Sequence, residues 1–115
     1  GRNQIKRIMG LEDIGQTLEQ LWISYNQIEK LDGLQPCVKL HTLFLSNNKI
    51  AKWEEVAKLS QLTELKTVLF VGNPIYGDKD KAEMKPYVVK RIPQIHNVDG
   101  FLVNETDRKE AEEFE

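Results

Sequence analysis

The 115 residues are 40% hydrophobic and 30% charged with a net charge of −2, which suits one small domain with a modest core. That balance argues against a general affinity for nucleic acid or any acidic polymer, and the longest wholly apolar run, Val68 to Val71, is far too short for a membrane-spanning helix. A single cysteine cannot form an internal disulfide, so a reducing compartment is the expectation.

In chain order, Asn3 is followed by Ile5, Ile8, Leu11 and Ile14, at two, five, eight and eleven residues beyond it. The same offsets then recur behind fuller leads. Leu18, Leu21 and Ile23 precede Asn26, with Ile28, Leu31, Leu34 and Cys37 after it; Leu40, Leu43 and Leu45 precede Asn48, with Ile50, Trp53, Val56 and Leu59 after it. Leu65, Val68 and Phe70 then lead to Asn73 and Ile75. The pattern L-x-x-L-x-L-x-x-N-x-I, at asparagine spacings of 23, 22 and 25 residues, is that of leucine-rich repeats. It predicts an α/β solenoid: a parallel β-sheet on the concave face, short helices on the outer side, and a buried asparagine at each turn because that side chain offers both donor and acceptor. Cys37, sharing its offset with Ile14 and Leu59, reads as a small core hydrophobe. Trp53 reads as core beside Ile8 and Leu31.

The first repeat lacks the leading half of its pattern and shows no cap, so one or more preceding repeats are expected to be missing from the chain. Gly77 to Lys85 is expected to be a solvated polar loop, since its acidic residues do not continue into a calcium-binding spacing. Pro86 is placed to begin a short helix carrying Tyr87, Val88, Val89 and Ile92, followed by a cap that runs from Arg91 to Gly100. These readings divide the chain into a repeat domain over residues 1–103, with its cap from about residue 84, and an acidic helix or tail over 104–115 that begins near Asn104.

Strand alternation directs the residues between core positions to the concave face: Gln20, Trp22 and Ser24, then Thr42, Phe44 and Ser46, then Thr67, Leu69 and Val71. Trp22, Phe44 and Leu69 should stand in register as an apolar row of a kind that soluble monomers seldom leave without a use. A second ladder at the strand ends, Arg2, Tyr25, Asn47 and Gly72, would form its polar rim. Cover of the row by Phe114 and the C-terminal tail is the competing expectation. Catalysis finds no support in a glycine-rich phosphate loop, a nucleophile motif or a paired histidine, and His41 and His96 lie in different elements. Glu54 and Glu55, adjacent in sequence, read as surface charge. No cofactor or metal is expected.

The run from Thr17 to Ile28 with its Leu-Trp-Ile-Ser-Tyr-Asn centre, together with Leu45 to Ile50, Trp53, Gly72 to Tyr76 and the Val88 to Pro93 cap, closely resembles the leucine-rich-repeat light chains of the axonemal outer dynein arm. The resemblance implies a non-catalytic light chain in the cilium or flagellum, monomeric alone. It would bind a dynein heavy chain near the microtubule-binding tip of its stalk and regulate motility. Carried onto this sequence, the contact would centre on Trp22, Phe44 and Leu69 with Ser24, Tyr25, Ser46 and Asn47. Arg108, in Asp107-Arg108, matches a charged pair expected to reach the motor or tubulin, although the acidic tail after it weakens the case for tubulin. The alternative is a scaffold of the same repeat class regulating a phosphatase or another intracellular complex.

Overall fold

The structure, a computed structural model, describes residues 5–113. Three short strands, β1 (Gln20–Trp22), β2 (Thr42–Phe44) and β3 (Thr67–Leu69), come from the three repeats that carry the full apolar lead. They pair in parallel, with Leu21 beside Leu43 and Leu43 beside Val68, so one set of alternate side chains enters the core and the other faces out. Two shorter strands extend the sheet: β4 (Asn97–Val98), parallel to β3, and β5 (Phe101–Leu102), antiparallel to β4.

The turn after each strand is held by its asparagine. The Asn48 carboxamide accepts from the Ile28 N–H at 3.1 Å and donates to the carbonyls of Ile23, Leu45 and Ser46; Asn73 accepts from Ile50 at 3.1 Å and donates to Leu45 and Phe70. Asn26 does the same for Ile5, Ile23 and Ser24. Every bond set therefore spans two repeats, and all three asparagines are buried.

On the outer side the expectation of short helices holds only in part. The 25-residue repeat that starts at Asn48 forms α1 (Trp53–Ala57) and a 3₁₀ turn (Lys58–Gln61), whereas the 22-residue repeat before it runs as consecutive turns. Gly33 in that shorter arc has φ +96 and packs so closely on the Ile8 carbonyl that a Cβ would collide with it, and Pro36 further denies it helical bonding. Glu55 departs from its reading as surface charge. It is buried in α1, where it accepts from the Leu31 N–H at 2.8 Å and pairs with Lys58 at 2.9 Å. Burial alone would raise its carboxyl, but those partners outweigh it and hold the pKa below the ordinary value.

One boundary and one core position differ from the sequence reading. The cap helix α2 spans Lys81–Arg91 and begins five residues before Pro86, because the Asp80 carboxylate accepts from the Glu83 N–H and caps it there. The second half of the expected loop is therefore helix, and Pro86 sits inside it. Ile14 was expected to close the core but is 48% exposed, while Cys37 and Leu59 at the same offset are 0% and 1% exposed. The same edge effect leaves Leu18, Leu21 and Ile23 only half-buried and Ile5 exposed, because among the described residues no repeat packs on their outer side.

The helix expected near Asn104 is α3 (Glu105–Glu113), capped reciprocally by Asn104 and Asp107, each accepting the other's backbone N–H at 2.9 Å. It packs on α2 through Ala111 and an Asp107–Lys85 ion pair at 3.0 Å. Burial pulls the Asp107 carboxyl upward, but the Asn104 N–H and the Lys85 ammonium outweigh it and the net pKa is lowered. A lowered folded value contributes stability above the unfolded pKa, near 3.9, and loses it as pH falls through the folded value, so α3 should loosen below about pH 4. Amide exchange of α3 during an acid titration would show this step. An Asp107→Asn variant with the same acid profile as the parent would count against it.

Candidate functional site

The concave face is built by register. Trp22 stands beside Phe44 and Phe44 beside Leu69, as alternation predicts. Trp22 is 68% exposed, and its ring lies 5.2 Å from that of Phe44, tilted by 33°. Phe44 and Leu69 are half-buried, so the row rises from a supported base to a free indole at the β1 end. To one side lie Gln20, Thr42, Thr67 and Asn97, paired strand to strand; to the other lie Ser24 and Ser46, whose hydroxyls hydrogen-bond at 2.9 Å, and the exposed Val71. None of these residues is charged.

The rim ladder is visible for Tyr25, Asn47 and Gly72; Arg2 and Phe114 lie outside the described residues. The structure gives this ladder a second meaning. All three have positive φ, +61, +57 and +88, because the chain must reverse here before its asparagine can enter the core. At Gly72 a Cβ would run into the Asn47 side chain, which makes glycine the residue that fits. Tyr25 is 52% exposed and Asn47 is exposed, so both border the apolar row.

Arg108 occupies a different place. Its guanidinium donates to the carbonyls of Pro93 and Ile95, fastening α3 to the end of the cap rather than projecting freely. Trp53 is half-buried rather than fully in the core. It stacks on Tyr87 at 5.8 Å and Tyr76 at 6.4 Å with the Arg91 guanidinium 4.9 Å from its ring, joining α1 to the cap on the side away from the concave row. α3 packs on α2, and among the described residues Trp22 is left 68% exposed.

Leu102 was overlooked by the sequence reading. It is 75% exposed in β5, and the Asp99-Gly100 pair before it, with φ +51 and +89, is the hairpin signal that could have placed it. Among the described residues no group of three or more His, Cys, Asp and Glu could hold a metal ion, and no helix is long and apolar enough to cross a membrane.

Stacked parallel strands, shared buried asparagines and a helical cap define the leucine-rich-repeat fold. A family model for two copies of leucine-rich repeats matches residues 16–58. The chain resembles dynein axonemal light chain 1. It is 44% identical to that protein of Chlamydomonas reinhardtii over 96% of this chain and 58% of the relative, and 46% identical to that of Homo sapiens over the same shares. It thus spans a little over half the length of these relatives. A chain in the crystal structure of the Drosophila melanogaster SNF/U2A′ complex superposes with a TM-score of 0.71 at 21% identity, over 98% of this chain and 77% of that one, a likeness of fold alone.

Proposed function

We propose that this chain is a non-catalytic axonemal dynein light chain that binds a dynein heavy chain near the microtubule-binding tip of its stalk and regulates ciliary or flagellar motility. The observation that carries the reading is the row Trp22–Phe44–Leu69, an exposed aromatic anchor on a rigid sheet with uncharged polar groups on both flanks. The sequence relationship to axonemal dynein light chains supports a dynein partner and a location in the axoneme. Ser24, Ser46, Tyr25, Asn47 and Val71 border the row and orient the contact. Arg108 donates to the Pro93 and Ile95 carbonyls and so fixes α3 to the cap, and its remaining N–H groups serve the contact with the motor or tubulin.

Calorimetric titration of the chain with an isolated dynein stalk-tip domain tests this reading. Trp22→Ala combined with Phe44→Ala should weaken binding at least about a hundredfold, since aromatic hot spots are commonly worth 2 kcal/mol or more each. The fold should survive, because Trp22 is mostly exposed and Phe44 half-buried. A well-folded parent chain that does not bind would end the dynein assignment and leave the alternative of a scaffold for another complex.

A further inference from the structure

The apolar row stops at Leu69 for a structural reason. The next position in its column would fall on Asp99, but there the chain turns inward: Asp99 is 2% exposed, and its carboxylate accepts from the N–H groups of Phe70 and Val71 and from the Tyr76 hydroxyl. The column is therefore closed to apolar contact just past β4. Beyond the Asp99-Gly100 hairpin the chain returns on β5, and Leu102 pairs with Asn97.

That pairing fixes which way Leu102 faces. Directly opposed residues share a sheet face, and Asn97 pairs with Thr67, Thr67 with Thr42 and Thr42 with Gln20, all on the concave side. Phe101, paired with Val98, takes the other side, where Lys81 and Lys85 lie 5.6 Å from its ring. The Lys85 ammonium also donates to the Leu102 carbonyl, tying the backbone of β5 to α2 while its leucine side chain remains 75% exposed. A single exposed leucine needs no explanation. This one shares an uncharged face with Trp22, and the two most exposed apolar side chains of that face stand at its opposite ends.

From this juxtaposition we infer that Leu102 is a second anchor of the partner-binding face, so that the heavy-chain surface spans all five strands from Trp22 to Leu102. The inference rests on the dynein reading above and adds its extent. With strands about 4.8 Å apart, four steps make a footprint of roughly 19 Å across the sheet. The partner it fits presents two apolar contacts at that separation, one for the indole row and one for Leu102, with neutral hydrogen-bonding groups between them to meet Thr67 and Asn97.

The test is titration of the parent chain, Leu102→Ser, Leu102→Met and the Trp22/Phe44 double variant against the same stalk-tip domain, with Met9→Ser as control. Met9 is 73% exposed and lies in the arc before β1, not on the sheet. Leu102→Ser should weaken binding about tenfold, as expected for losing one largely desolvated leucine contact, with Leu102→Met and Met9→Ser near the parent. Its melting temperature should match the parent's. Unchanged affinity in Leu102→Ser, alongside lost binding in the Trp22/Phe44 variant, would overturn the second anchor and leave the dynein reading standing. Absence of binding by the parent chain would remove both.

Discussion

Asn48→Ala is expected to destabilise the fold by about 3–5 kcal/mol, read as a lowered urea midpoint with an unchanged slope. The carboxamide is 3% exposed and engages the Ile28 N–H and three carbonyls belonging to two repeats. Alanine fills none of those roles. Each buried polar group left unpaired costs about 1–3 kcal/mol, so losing several together reaches the upper range of single substitutions. Lys49→Ala next to it is the control. Lys49 is exposed, its side chain holds none of the turn's hydrogen bonds among the described residues, and its removal should stay within about 0.5 kcal/mol. Equal shifts for the two variants would mean that the asparagine ladder does not hold the stack.

Asp99→Ala should be comparably damaging, about 3–5 kcal/mol, because it strands the Phe70 and Val71 N–H groups and the Tyr76 hydroxyl at once. It also places alanine at φ +51, where asparagine and aspartate are tolerated better. Asp99→Asn keeps an acceptor for the two N–H groups and a donor that the Tyr76 oxygen can accept, so it should lose less than half as much. The same site gives an alkaline signature. Burial first, and the Asp99 carboxylate second, push the Tyr76 phenol far above its usual range. A raised folded pKa contributes stability below the unfolded value, near 10, and loses it as pH rises beyond that, so Asp99→Ala, which leaves the larger burial contribution in place, should lessen but not abolish the loss of stability above about pH 10. Thermal unfolding of the three proteins across pH decides this, and parity of the alanine and asparagine variants would refute the hydrogen-bond account.

The repeat was legible because its physics is local and periodic. Leu43, Leu45, Val68 and Phe70 are fully buried at the offsets that marked them, and the Trp22–Phe44–Leu69 register followed from alternation alone. What escaped depended on neighbours that no periodicity encodes. Ile14 has a core offset but lies where no repeat among the described residues covers it; Glu55 looks like surface charge until Lys58 and the Leu31 N–H are brought to it. Pro86 suggested a helix start, yet the Asp80 cap upstream set the boundary. The bonds of Arg108 to the Pro93 and Ile95 carbonyls likewise could not be read from its place in the sequence. Tyr25, Asn47 and Gly72 were recognised as a ladder, while the left-handed backbone that unites them is a conformational fact.

The asparagine bonds also run in one direction along the chain. Ile28 is completed by a side chain 20 residues later, Ile50 by one 23 residues later, and Phe70 at the end of β3 by Asp99, 29 residues later. On the ribosome, then, each turn emerges unfinished and stays so until the following unit has left the exit tunnel. A nascent chain stalled just short of Asp99 would hold the whole apolar row of the sheet on a last strand whose end is still unlatched. The cap thus sets when during synthesis the concave face first becomes rigid.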